Sequence, residues 1–126
     1  MLQHNNLYTD ELFMSDLLKI ENHDKAVVIY IVGSQVNMYN IPELEAALEP
    51  ILTEKPKTIV LDLAKVSYLD SSAMGAIFRM NNTIKGYEGN FYITGVNSTI
   101  SMVLKITRSD SLLKIFKTVK DALVHA

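Results

Sequence analysis

Apolar and polar positions fall into blocks along the chain, and the length and period of each block separate strands from helices. Ala26–Val32 is the longest unbroken apolar run, rich in β-branched residues, and predicts a buried strand closed by Gly33. Lys57–Leu63 contains Thr58-Ile59-Val60-Leu61, a near-continuous apolar stretch that implies burial on both faces. Phe91–Thr94 predicts a third strand and Leu112–Phe116 a last short one. Leu12–Ile20 fits a strand or a helical turn, and a strand is placed at Leu17–Ile20.

Helical spacing fills the gaps. Ile41, Leu44, Leu48, Ile51 and Leu52 form one stripe after Asn40-Ile41-Pro42-Glu43, where Asn40 can cap, Pro42 suits a first turn and Glu43 has capping-box spacing. Pro50 interrupts that stripe and predicts a kink or an early end. Ser72–Lys85 predicts a second helix with Met74, Ile77, Phe78 and Ile84 on one side, and Gly86 and Gly89 flank the turn after it. Ser98 is the expected cap of a third helix, with Ile100, Val103, Leu104 and Thr107 on a shared face. Thr118 with Asp121 opens a terminal helix carrying Val119, Ala122 and Leu123. Two strands followed by alternating helices and strands predict an α/β fold whose parallel neighbours are joined by crossover helices.

Composition removes several classes of function. The chain has 126 residues, 48% of them hydrophobic and 21% charged, which fits one folded domain over residues 11–126 behind a polar extension, 1–10, expected to be flexible. There is no cysteine, so disulfides, thiolate metal sites and a cysteine nucleophile are excluded. A net charge of −2 leaves no electrostatic footprint for direct nucleic-acid binding. No apolar run approaches the roughly 20 residues of a membrane helix, and the first ten residues lack the pattern of a signal peptide, so a cytoplasmic protein is expected.

In sheets of this type functional loops lie beyond the carboxyl ends of the strands, which draws attention to Ala64–Ser72. It ends in Leu69-Asp70-Ser71-Ser72-Ala73-Met74-Gly75, an acid and two hydroxyls at the start of a helix. Local chemistry favours plain capping, with Ser72 the cap and Ser71 exposed or the reverse. The alternative is an exposed serine that accepts a phosphoryl group, with the helix N-terminus hosting the phosphate.

This stretch resembles the signature of STAS domains, in particular the bacterial anti-sigma factor antagonists. The matching residues are Val60-Leu61-Asp62-Leu63, Val66, Leu69-Asp70-Ser71-Ser72 and Gly75. Asn37–Leu44 is similar to the family's second loop and first helix, and Ile106-Thr107, Asp110, Leu113 and Ile115-Phe116 to its late conserved run. Departures are Ala73 for glycine, Met74 for leucine, Ser34 and Asn37 for glycine and aspartate, and Arg108-Ser109 in place of a glycine before the last strand. The resemblance covers about residues 17–123 and implies a single STAS-type domain, a mixed β-sheet with crossover helices packed on it.

It further implies a switch protein without catalytic machinery or cofactor. Ser71 would be the residue phosphorylated by an anti-sigma factor acting as a serine kinase, with Ser72 the second candidate. The unphosphorylated form would bind that anti-sigma factor and release a sigma factor, thereby regulating transcription, and a metal-dependent serine phosphatase would reset it. The partner surface would comprise Asp70, Ser71, Ser72, Ala73, Met74 and Gly75 with the loop Asn37, Met38, Tyr39 and Asn40. Ala73 would add a methyl where the partner approaches. Other readings are a constitutive STAS subunit of a transport or lipid-trafficking complex, and a small enzyme with Ser71 as nucleophile.

Other groups have simpler readings. His4, His23 and His125 have no second ligand at helical spacing, so no metal site is expected. Asp62 invites comparison with a phosphoacceptor aspartate, but the acidic pair of receiver domains is missing from Val32-Gly33-Ser34, and a hydrogen-bonded structural acid is favoured. Lys105, Arg108, Lys114, Lys117 and Lys120 read as a solvated face. Met38 and Tyr39 fit either exposed anchors for a partner or a satellite of the core.

Overall fold

The fold is taken from a computed structural model, which describes residues 13–14 and 16–126. The sequence expectation for residues 1–10 lies outside them. In chain order the elements are β1 (Phe13–Met14), β2 (Leu18–Asn22), β3 (Ala26–Ile31), β4 (Gln35–Val36), α1 (Ile41–Thr53), β5 (Thr58–Asp62), β6 (Tyr68–Leu69), α2 (Ser71–Gly86), β7 (Asn90–Thr94), α3 (Ser98–Ile106), β8 (Lys114–Phe116) and α4 (Val119–Val124). A 3-10 turn, Ser109–Ser111, lies between α3 and β8.

The main sheet has the order β1-β2-β3-β5-β7-β8. Its first two pairings are antiparallel; β3, β5, β7 and β8 run parallel. Each crossover steps one strand further in the same direction, so crossovers of one hand must put α1, α2 and α3 on one face. The core bears this out. Val27, Ile29, Ile31, Ile59, Leu61, Phe91 and Ile93 join the buried residues of α1, α2 and α3. The intervening residues Val28, Val60 and Tyr92 face the other way and pack with Ala122 of α4. Burial on both faces is why β3 reads as an unbroken apolar run and β5 as a near-continuous one.

Several local expectations give way. α1 runs through Pro50 to Thr53. The missing donor costs one helical hydrogen bond, but Leu48 and Ile51, both buried on either side of Pro50, hold the stripe against the core. Asn40 precedes α1 but makes no side-chain cap. Its Oδ1 instead accepts from the Asn37 amide at 2.9 Å and its Nδ2 donates to the Gln35 carbonyl at 2.9 Å, bracing the loop. Asn97, not Ser98, caps α3, accepting from the Ile100 amide at 2.7 Å. Val103 points outward on that helix, while Ile100 and Leu104 are buried. The last strand starts at Lys114, because the 3-10 turn uses the residues before it. Thr118 caps α4 through the Asp121 amide, as the spacing predicts.

Candidate functional site

The loop after β5 is built on a buried acid. Asp62 accepts from the Thr94 hydroxyl at 2.7 Å and from the Ala64 amide at 3.3 Å, which ties the ends of β5 and β7 together. It is a structural acid, as the simpler reading has it. Gly95 follows with φ at +74°, and a Cβ there would stand 2.8 Å from both the Ala64 nitrogen and the Asp62 Oδ1. Only glycine fits this close approach. The chain then passes Val66, which is buried, and enters β6.

The short strands β4 and β6 pair in parallel, Gln35 with Tyr68 and Val36 with Leu69. Hydrogen bonds from the Ser67 amide to the Ser34 carbonyl (2.7 Å) and from the Asp70 amide to the Val36 carbonyl (3.2 Å) extend the seam. Asp70 crosses it again, since its Oδ2 accepts from the Met38 amide at 3.0 Å. The sequence pattern brings the two loops to one end of the sheet; this seam fixes them to each other.

Asp70 is also the N-cap of α2. Its Oδ1 accepts from the Ala73 amide at 2.9 Å and from the Ser72 hydroxyl at 2.7 Å. Those bonds, the Ser72 hydroxyl's first, hold its carboxyl below the usual carboxylate range, so it is charged at neutral pH. The choice between Ser71 and Ser72 as cap is therefore resolved in favour of neither. Ser72 spends its hydroxyl on Asp70 and is half-buried; Ser71 is exposed, and its hydroxyl has no partner among the described residues. Asp70 already occupies the Ala73 amide, one of the donors at the start of α2 that the helix-terminus reading assigns to a phosphate.

The remaining site candidates divide by exposure. Met38 and Tyr39 are 61% and 85% exposed, which places them as outward-facing side chains rather than core. Asn37 is half-buried, with its Oδ1 accepting from the Tyr39 amide at 2.9 Å. Met74 is partly buried against the main core, and Gly75 is half-buried with Arg79 Nη1 lying 3.4 Å from where its Cβ would be. Ala73 corrects an expectation. At 1% exposure its methyl packs inward among core residues and presents nothing to a partner.

Among the described residues no three His, Asp or Glu side chains converge. His23 contacts Glu21 at the β2–β3 turn, and His125 contacts the Asp121 carbonyl in α4, so neither described histidine serves Ser71 as a base. The sequence reading passed over Tyr68, which stands 53% exposed on β6, two residues before Asp70. A polar-aromatic pair inside a loop carries no periodic signal; only the pairing of β6 with β4 shows which way it faces.

The profile of the STAS domain family matches residues 18–122. The chain belongs to that family. It is 32% identical over 84 residues to an anti-sigma-B factor antagonist of Staphylococcus epidermidis, an alignment covering 67% of this chain and 78% of the relative. Among solved structures, an anti-sigma factor antagonist from Mycobacterium paratuberculosis superposes with a TM-score of 0.79 at 23% identity, covering 93% of this chain and 95% of that one. The Bacillus cell fate determinant SpoIIAA in its phosphorylated form gives a TM-score of 0.67 at 16% identity, with 86% of this chain and 97% of that one covered. These structures share the STAS fold described above. Within the described residues of this STAS domain, no helix is long and apolar enough to cross a membrane.

Proposed function

We propose that this STAS protein is an anti-sigma factor antagonist, a non-enzymatic binding module switched by phosphorylation of Ser71. The observation that carries the reading is the division of labour at the start of α2: Asp70 performs the capping and leaves the adjacent Ser71 hydroxyl exposed and unengaged. A serine required by the fold would be held as Ser72 is held. The relatives named as anti-sigma-B factor antagonists supply the biological setting.

The partner is an anti-sigma factor with serine kinase activity, and a metal-dependent phosphatase reverses its action. The contact face is the exposed start of α2 with the Asn37–Asn40 loop, which the β4–β6 seam and the Asp70–Met38 bond hold beside it. Phosphorylation adds about −1.5 to −2 charge next to an Asp70 that is already ionised. That charge opposes an acidic or apolar partner surface through repulsion and desolvation.

Intact mass and phosphopeptide mapping of the chain from its native host test the assignment. One phosphoryl group on Ser71, removed by phosphatase, is the expected result. Ser71→Ala should accept no phosphate yet fold and bind the anti-sigma factor, whereas Ser71→Asp should bind more weakly. Full labelling of Ser71→Ala, or unchanged affinity of Ser71→Asp, would reject it.

A further inference from the structure

Arg79 uses only part of its guanidinium. Its Nε and Nη2 both donate to one oxygen of Glu45 on α1, at 3.1 and 2.8 Å, while Nη1 makes no hydrogen bond among the described residues. The side chain is 61% exposed, and exposed ion pairs of this kind hold weakly. The unused nitrogen lies back along its own helix, 3.4 Å from where a Cβ on Gly75 would stand. Outside the local helix backbone, no other described atom comes within 4 Å of that point.

Ser71, Gly75 and Arg79 follow one another at intervals of four residues, along one ridge of α2. Helical side chains lean toward the N-terminus, so Arg79 reaches over Gly75 in the direction of Ser71. Positions four apart set their Cβ atoms about 5–6 Å from each other, so Nη1 lies no more than roughly 9 Å from the Ser71 Cβ. A phosphoryl group lengthens the serine by two bonds, and the torsions of the arginine close what remains. A long side chain at position 75 would fill this lane; glycine leaves it open.

The chemistry at the two ends matches. A phosphoserine carries about −1.5 to −2 charge and three acceptor oxygens, and a guanidinium presents its donors in a planar fork suited to them. On the other side of Ser71 stands Asp70, ionised, with its oxygens already turned to Ala73, Ser72 and Met38. A phosphoryl group on Ser71 is thus repelled from the cap and attracted down the ridge.

We infer that Arg79 is the internal binding partner of phosphorylated Ser71, drawing the phosphoryl group along α2 and over Gly75. This rests on the reading of Ser71 given above. The phosphate so placed covers Gly75, part of the expected contact face, and blocks docking by position as well as by charge. An aspartate at position 71 is too short to reach Arg79, so Ser71→Asp imitates the charge without the placement.

The test installs phosphoserine at position 71 of the full chain by genetic encoding, so that it does not depend on any kinase, and follows its phosphate by 31P NMR from pH 4 to 8. A free phosphoserine titrates near pH 6. Arg79→Gln alters an exposed side chain, and far-UV circular dichroism confirms that it is folded. Its phosphate should titrate at least about half a pH unit higher than in the chain with Arg79, because a cation at hydrogen-bond distance favours the dianion. Most of the difference should survive 1 M salt, where charges more than about 3 Å apart are screened. Equal titration with and without Arg79, or a difference that 1 M salt removes, overturns the contact and leaves the Ser71 reading intact. A native chain never phosphorylated on Ser71 overturns that reading, whatever the titration shows.

Discussion

Asn97 joins two parts of the molecule that the sequence keeps 31 residues apart, and replacing it measures how firmly they are joined. Its Oδ1 caps α3 through the Ile100 amide at 2.7 Å, and its Nδ2 donates to the Val66 carbonyl at 3.1 Å, on the loop that leads into β6. Asn97→Ala removes both. Loss of an N-cap costs typically ~1 kcal/mol. Loss of one further hydrogen bond costs ~1 kcal/mol. The expected destabilisation is therefore about 2 kcal/mol, since the two bonds go to separate elements and add to a first approximation. With an unfolding entropy of about 2.1 cal/mol/K per residue, a chain this size should melt about 7–8 °C lower. Asn97→Ser separates the two contributions, because a serine hydroxyl can cap but is too short to reach Val66 as well. It should recover roughly half the loss. Urea unfolding followed by far-UV circular dichroism suits a chain without tryptophan, and an unchanged m-value would show that the unfolded reference is the same. A loss below about 0.5 kcal/mol for Asn97→Ala, the scatter of ordinary surface substitutions, would refute the reasoning. So would a serine variant as unstable as the alanine one.

Two further outcomes follow from the same geometry. Gly95→Ala combines a positive φ with a methyl 2.8 Å from backbone and from Asp62, so it should lose more than the ~1–2 kcal/mol of the left-handed conformation alone. Wild-type stability in urea would show that the β5 and β7 ends can separate freely. Tyr30 has its hydroxyl pushed up to about 12, chiefly by burial and then by the neighbouring Glu21, to which it donates at 3.2 Å. The neutral phenol is the form the fold favours, so its contribution is complete below the ordinary tyrosine range near pH 10 and is lost as pH rises through about 12. A spectrophotometric titration at tyrosinate wavelengths should show a late component that Tyr30→Phe abolishes; the same late component in that variant would assign it elsewhere.

The fold was legible where burial imposes a long pattern. β3 is an unbroken apolar run, and β5 and β7 are apolar between polar ends, because both faces of the sheet are packed, and the stripes of α1 and α2 follow from packing against one core. What was illegible was short or depended on a distant partner. β4 and β6 are two residues each, too short for any period, and they exist because they pair with each other across more than thirty residues of chain. The caps show the same limit. Asn40 has the right spacing to cap α1, yet its amide is used by Gln35 and Asn37, contacts that only the folded loop supplies. Asn97 and Ser98 are both good caps by residue type, and the Val66 carbonyl favours the one with a donor to spare. At the candidate site, the cluster Asp70-Ser71-Ser72 was visible as chemistry, but the assignment of cap, support and free hydroxyl required three hydrogen bonds that no spacing rule distinguishes.

The seam between β4 and β6 has a consequence for timing. Two backbone strands and the Asp70–Met38 bond fasten the loops around Ser71 to each other, so there is no hinge there for a phosphoryl group to open. Domain closure and lid motion ordinarily insert a relaxation of microseconds to milliseconds between a chemical event and its readout. With the loops fastened, Ser71 would report its state as soon as the covalent bond is made or broken. The memory of such a switch would then last as long as the phosphoester itself, and its lifetime would be set by the enzymes that write and erase it rather than by any motion of this domain.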